Sequence, residues 1–239
     1  MTKVHRAYRG LQRILPKSLA RYLRSAATAF LAPNFLAYRS GHWRSSFARR
    51  AVDRIGRPIP WYTYPSLEYL QRQSFVGKRI LEFGGGQSTL WWAARADYVM
   101  TIETDEAWAK HLQGSAPRNA TVIYLDLTTG TRRGHVAALQ DRLRTEHPEP
   151  FDIIVIDGAK YRSSYAKLAR DFLSRDGAII CDNAEGFGIF EALRNSGLSR
   201  VDFYGIAPGT IAPAATSIYF NGGSFLFDNS RPIGGDILS

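Results

Sequence analysis

Residues 79–105, RILEFGGGQSTLWWAARADYVMTIETD, decide the fold of this chain. A short apolar run, Ile80 to Phe83, carries an acid, Glu82, near its end. Gly84, Gly85 and Gly86 follow, then a helical stretch from Ser88 to Arg95, then a second apolar run from Tyr98 to Ile102 that ends on Glu103. Strand, glycine turn, helix, strand, acid is the plan of a nucleotide-binding βαβ unit. Without Cβ atoms the turn is sharp and a ligand can lie against the backbone. A carboxylate at the end of the second strand can accept hydrogen bonds from both hydroxyls of a ribose. The dinucleotide fingerprint GxGxxG needs a third glycine where this chain has Thr89. That glycine lets a helix start close under a pyrophosphate, so its absence favours a nucleoside ligand without one.

Glu82-Phe83-Gly84-Gly85-Gly86 resembles motif I of the class I S-adenosylmethionine-dependent methyltransferases, which reads acid-x-Gly-x-Gly. The resemblance extends over about Trp61 to Asn221, and the string PWYTYPSLEYL...ILEFGGGQSTLWWA is similar to a subset of bacterial methyltransferases. It implies a cofactor, S-adenosyl-L-methionine, held over Gly84, Gly85, Gly86 and Ser88 at the turn, with Glu82 beside it, Glu103 on the ribose and Asp157 near the transferred methyl. Asp126, ending the third strand, matches the position that contacts adenine, with a loop-capping role as the alternative.

The 239 residues suit one α/β domain with an extension. No window approaches the roughly 20 apolar residues that span a bilayer. A single cysteine, Cys181, excludes an internal disulfide and a cysteine zinc cluster; within the run AIIC it reads as a small buried hydrophobe. The histidines are scattered, without metal-ligand spacing. Charge is lopsided: residues 1–60 hold 13 Lys and Arg against one acid, Asp53, for +12, while the remainder holds 18 against 20, for −2, giving the net +10. The basicity therefore belongs to the extension, which disfavours nucleic acid lying across the main domain.

Residues 1–31 show apolar positions at three- and four-residue steps (Leu11, Ile14, Leu15, Leu19, Tyr22, Leu23, Ala26, Ala27, Phe30, Leu31) interleaved with Arg13, Lys17, Arg21 and Arg24, and predict a basic helix interrupted or restarted at Pro16. It fits three uses: packing on the domain, peripheral contact with an anionic membrane, or a transit-type targeting segment. Residues 32–65, rich in proline and aromatics, read as a linker ending in the stiff segment PWYTYP, whose Trp61, Tyr62 and Tyr64 are candidates for the substrate mouth. Domains are expected at 1–57 (basic helical extension and linker) and 58–239 (cofactor-binding domain).

From Ser66, a candidate N-cap, strands are expected at 79–83, 98–103, 121–126, 151–157 and 177–182, with helices at 88–95, 105–113, 134–145, 162–173 and 186–196 between them. Such alternation implies a parallel sheet with right-handed crossovers. RVDFYGIAP and TSIYFNG follow without an intervening helix and predict an antiparallel hairpin, which argues against a dehydrogenase. Residues 223–239 read as a short edge element and frayed end. The expected architecture is a three-layer αβα Rossmann-like fold. By the resemblance it has a seven-stranded, mostly parallel sheet of order 3-2-1-4-5-7-6, with the last strand antiparallel.

Ligands of open parallel sheets bind beyond the carboxyl ends of the strands. The fourth strand leads into Asp157-Gly158-Ala159-Lys160, then Tyr161, Arg162 and Tyr165; the fifth ends in Asp182-Asn183. Asp157, Asp182 and Asn183 offer three oxygen ligands on adjacent strand ends, as a hard cation such as Mg²⁺ requires. The set resembles the metal-dependent O-methyltransferases, although Gly158 and the Tyr-Arg pair depart from them. Asp157 and Lys160 are the catalytic candidates; Arg162 and Tyr165 are candidates for positioning the acceptor. The expected function is methyl transfer from S-adenosylmethionine to a small-molecule or glycan hydroxyl, in a cytoplasmic or membrane-peripheral protein. Three alternatives stand beside it: an RNA or protein methyltransferase docking through the basic arm, an NAD-dependent oxidoreductase, and a non-enzymatic membrane-surface module. The acceptor and oligomeric state are not legible.

Overall fold

A computed structural model describes residues 16–227. Its centre is a seven-stranded sheet: β1 Arg79–Phe83, β2 Tyr98–Glu103, β3 Ala120–Tyr124, β4 Phe151–Ile156, β5 Leu173–Cys181, β6 Ser199–Ile206 and β7 Pro213–Phe220. The order is β3-β2-β1-β4-β5-β7-β6. The first five strands pair in parallel, and β7 is antiparallel to both β5 and β6. The Rossmann-like architecture is therefore as expected, with strands shifted by a few residues at their ends.

Period-two alternation sorts the strand side chains onto two faces. Leu81, Phe83, Met100, Ile102, Ile154, Ile156 and Ile179 form one core. Ile80, Val99, Ile153, Val155, Ile180 and Ile218 form the other. Both faces of the central strands are buried, so consecutive apolar residues occur at Ile153 to Ile156 in β4 and at Ile80 and Leu81 in β1. The first core is closed by Leu139, Leu143, Tyr165, Ala166, Ile189 and Leu193; the second by Tyr62, Leu67, Leu70, Trp91 and Trp92.

The helices are α1 Lys17–Arg39, α2 His42–Ala48, α3 Tyr64–Leu70, α4 Gln87–Ala93, α5 Glu106–Ser115, α6 Arg132–Glu146, α7 Arg162–Ala169 and α8 Ile189–Leu193. The expected helix in residues 1–31 is described only from α1 onward; residues 1–15 lie outside the described residues, as do 228–239 of the expected frayed end. Pro16 precedes α1 and starts it. The expected linker over 32–65 is corrected. α1 runs through Pro33 to Arg39, and α2 follows. Pro33 removes one amide donor, but the helix is exposed there, so water can satisfy the freed carbonyl. Ser66 does not cap α3. The helix starts at Tyr64, with Pro65 in its first turn, and Ser66 Oγ donates to the Thr63 carbonyl at 2.7 Å. The expected helix 186–196 shrinks to α8, because Phe187 and Gly188 adopt left-handed φ of 58° and 67° and delay its start.

Candidate active site

The carboxyl ends of β1, β2, β4 and β5 meet at a rim of acids. Gly84 leaves β1 with φ of +88°, and a Cβ there would overlap the backbone of Gly158, so the β1 and β4 loops touch chain to chain. Gly86 is different. Its backbone is extended, and a Cβ would meet only Trp108, at 4.0 Å, the outer edge of contact. Nothing in the chain's own packing requires glycine at 86; the open surface there is the kind a ligand lies against.

Glu82 is fully buried beneath this turn. Its Oε2 accepts from Thr89 Oγ1 at 2.5 Å and from Thr101 Oγ1 at 2.9 Å, while Oε1 is buried without a partner. Burial pushes its carboxyl up to about 7, against the opposing pull of the Thr89 and Thr101 hydroxyls, and with the Asp157 charge adding to the rise. Thr89 thus has a reason to replace the third glycine: its hydroxyl accepts the Gly86 N–H at 3.1 Å and ties the turn to Glu82.

Glu103 stands where the sequence places it, at the end of β2 and buried. Oε2 accepts the Gly85 N–H at 3.0 Å, and Oε1 accepts the N–H groups of Thr104 and Asp105 at 2.6 and 3.0 Å. Three donors fix its direction and leave capacity for a further one. Asp126 lies apart, exposed beyond the end of β3, where Oδ1 accepts the Thr128 N–H at 2.8 Å and this bond holds its pKa below the usual value.

Asp157 and Asp182 close the rim. Burial raises both carboxyls above the ordinary range, and for Asp182 the charge of Asp157 adds to it, so they titrate as a pair. Asp182 Oδ1 also accepts Thr216 Oγ1 at 3.0 Å. Arg162, a candidate for holding the acceptor, is turned inward instead. It is 7% exposed and donates to the carbonyls of Gly158, Asp157 and Asp182 at 2.6, 2.5 and 2.7 Å, with Nη2 3.4 Å from Asp157 Oδ1. It is a positioning residue that welds the β4 loop to the end of β5. The Mg²⁺ site expected at Asp157, Asp182 and Asn183 gains no support at this junction. A guanidinium already supplies the cation at this junction, and among the described residues no three His, Cys, Asp or Glu side chains gather around a metal position. Asn183 has left-handed φ of 48° just after the strand.

The remaining candidates separate. Lys160 lies on the exposed side of its loop, without the burial a base role would need. Tyr165 is 2% exposed, stacks on Phe83 at 4.4 Å and belongs to the core, with a hydroxyl that lacks a partner. Tyr62 is fully buried; its hydroxyl accepts Trp92 Nε1 at 3.3 Å. Burial, and then the charges of Glu82, Asp157 and Asp182, hold the Tyr62 hydroxyl well above its usual pKa, so it stays protonated beside the acid cluster. Tyr64 is half-buried against His42, 5.9 Å between rings. Of the expected aromatic mouth only Trp61 is exposed, with Nε1 donating to the Pro208 carbonyl at 2.7 Å. PWYTYP is chiefly a strap: the Thr63 N–H reaches Thr216 Oγ1 at 3.0 Å, which in turn donates to Asp182.

Trp108 is a site residue that the sequence pattern does not single out. It sits in α5, 41% exposed, with Nε1 donating to the Gly85 carbonyl at 2.8 Å. An aromatic in the first turn after the strand-end acid is the signal that could have found it.

No family model matches the chain, and no curated protein does. Solved structures do. It is similar to the N-methyltransferase NodS of Bradyrhizobium japonicum WM9 (14% identity, 64% of this chain and 92% of that one, TM-score 0.44). It is also similar to an rRNA methylase from Streptococcus thermophilus (13%, 65% and 96%, TM-score 0.45). A methyltransferase from Pyrococcus furiosus matches at 16% identity over 80% of this chain and 98% of that one, TM-score 0.44. At these identities and scores the site's own residues must decide the function.

Proposed function

We propose that this protein is an S-adenosylmethionine-dependent methyltransferase acting on a hydroxyl of a small molecule or glycan. The observation that carries this reading is the buried acid cluster under an open glycine turn, with Glu82 Oε1 unpartnered. Burial disfavours the charged form of Glu82, and a cationic ligand nearby would offset that cost and give its unpartnered oxygen an electrostatic partner. An anionic pyrophosphate would face Glu82, Glu103 and Asp157 at this rim, with Arg162 already committed to three carbonyls. That electrostatic argument favours S-adenosylmethionine over NAD.

The residues fit the cofactor in three places. Glu82 would stand under its cationic amino acid end, Gly86 would give it open backbone, and Glu103, pre-aimed by three N–H donors, would take a ribose hydroxyl. When bound, S-adenosylmethionine supplies an electrophilic methyl on a sulfonium that departs as a neutral thioether. The chain supplies alignment and a proton acceptor. Asp157 is the group suited to accept the proton, because it is partly open, its affinity for protons is raised by burial, and Arg162 fixes its backbone. An acceptor hydroxyl beside this rim would give its proton to Asp157.

Calorimetric titration with S-adenosylhomocysteine tests the assignment. Glu103→Ala should weaken binding about tenfold or more, by leaving a ribose hydroxyl unpaired. Asp126→Ala, which removes a loop cap, should change it by less than about threefold. Unchanged affinity in Glu103→Ala would contradict the ribose role.

A further inference from the structure

α1 takes no part in the acid rim. It is 23 residues long, about 34 Å of helix. Leu19, Leu23, Ala26 and Phe30 recur at steps of four, three and four residues and share one side, while Lys17, Arg21 and Thr28 fall on the other. The helix holds no acid. Its apolar side is not packed: Leu23 is 40% and Phe30 76% exposed, and only Ala20 is buried. Its C-terminal half stands off the body across a groove of about 1550 Å³, lined by Phe35 and Leu36 on the helix and by Trp91 and Arg95 on the domain.

The exposed apolar surface continues past α1. α1 packs on α2, where Phe47 is 84% exposed. α2 in turn holds the loop between β6 and β7: the Gly209 N–H donates to His42 Nδ1 at 3.4 Å, and Ile211 at the tip is 94% exposed. Apart from Ile211, these large exposed apolar side chains belong to a segment, residues 1–60, with a charge of +12. A second copy of the chain would set two such charges against each other. A nucleic acid would meet the arginines and leave the leucine and phenylalanine stripe in water. An anionic lipid interface satisfies both halves, taking up the apolar face and neutralising the basic one. Among the described residues no helix is long and apolar enough to cross a membrane, so contact is with the surface.

We propose that α1 and the β6–β7 tip seat this protein on an anionic phospholipid bilayer, with α1 lying in the plane of the interface. The test is co-sedimentation of the full chain with vesicles of phosphatidylcholine alone or mixed with phosphatidylglycerol, at low and high salt. Partition should be about tenfold or more stronger onto the mixed vesicles and should fall with salt. Leu23→Glu with Phe30→Glu should reduce it about tenfold or more, Lys17→Glu with Arg21→Glu should remove the preference for phosphatidylglycerol, and Ile211→Asp should cost about threefold. All these side chains are exposed, so an unchanged melting curve and circular dichroism spectrum confirm that each variant is folded. Equal partition onto both vesicles, or none, would overturn the proposal. So would sedimentation of the free chain as a dimer that Leu23→Glu with Phe30→Glu dissolves without any effect on vesicles, or retention on RNA in place of lipid.

Discussion

The two ends of the parallel sheet carry similar numbers of acids and use them in opposite ways. At the amino end, Asp152 accepts Lys78 Nζ at 3.0 Å and the Arg79 N–H at 2.8 Å, Lys78 also reaches Asp176 at 3.5 Å, and Arg79 pairs with Glu149 at 3.0 Å. Each acid there has a partly exposed cation, and the arrangement neutralises the amino ends of β1, β4 and β5. At the carboxyl end, Glu82, Asp157 and Asp182 are raised by burial, and the one basic side chain bonded among them, Arg162, spends its donors mainly on backbone carbonyls. Left-handed residues outside glycine also gather there, at Tyr161, Asn183 and Phe187. Strained backbone and under-compensated charge held at one rim, while the opposite rim is neutralised, mark the end built for a ligand.

Removing one cation from each end tests this contrast most strongly. Arg162→Met strands three carbonyls and leaves the Asp157–Asp182 pair without its counter-charge, and should lower stability by about 3–5 kcal/mol in chemical denaturation. Lys78→Met, at a partly exposed pair, should cost about 1 kcal/mol or less. Similar losses at the two ends would break the comparison.

The glycine turn sharpens it further. Gly84→Ala forces a Cβ into the Gly158 backbone at a left-handed φ and should cost about 2–3 kcal/mol. Gly86→Ala should stay within about 0.5 kcal/mol of the parent in stability, yet weaken S-adenosylhomocysteine about tenfold, because its Cβ would occupy ligand space. Equal effects of both substitutions on folding would mean that Gly86, too, is structural.

The smallest expected effect is in the pH dependence. An unfolded Glu82 carboxyl titrates near 4.5 and the folded one at about 7. The native state keeps its proton between those values, so the contribution of Glu82 to stability is full below the lower one and is lost as pH rises through the upper. Glu82→Gln should flatten this part of the stability–pH curve, and an unchanged slope would mean that the carboxyl is not held in its protonated form.

Much of this is legible in the chain. Glu82, the glycines and Glu103 are fixed by adjacency along βαβ, and the terminal hairpin by the lack of a helix between two strand-like runs. What escapes reading depends on contacts distant in sequence. Nothing local in RSSYAKLA shows that Arg162 will find the carbonyl of Asp182, twenty residues on. Without that contact, Asp157, Asp182 and Asn183 look like a metal set. Tyr62 and Tyr64 read as mouth residues because aromatic character does not distinguish core from entrance. Residues 32–65 read as a linker because an interior proline usually ends a helix, whereas α1 continues through Pro33 to Arg39.

The most direct measurement is calorimetric titration of the full chain with S-adenosylhomocysteine beside NAD. Micromolar binding of S-adenosylhomocysteine with no heat from NAD is the predicted result. Binding of NAD, or of neither ligand, would contradict the assignment of the acidic rim to a sulfonium cofactor.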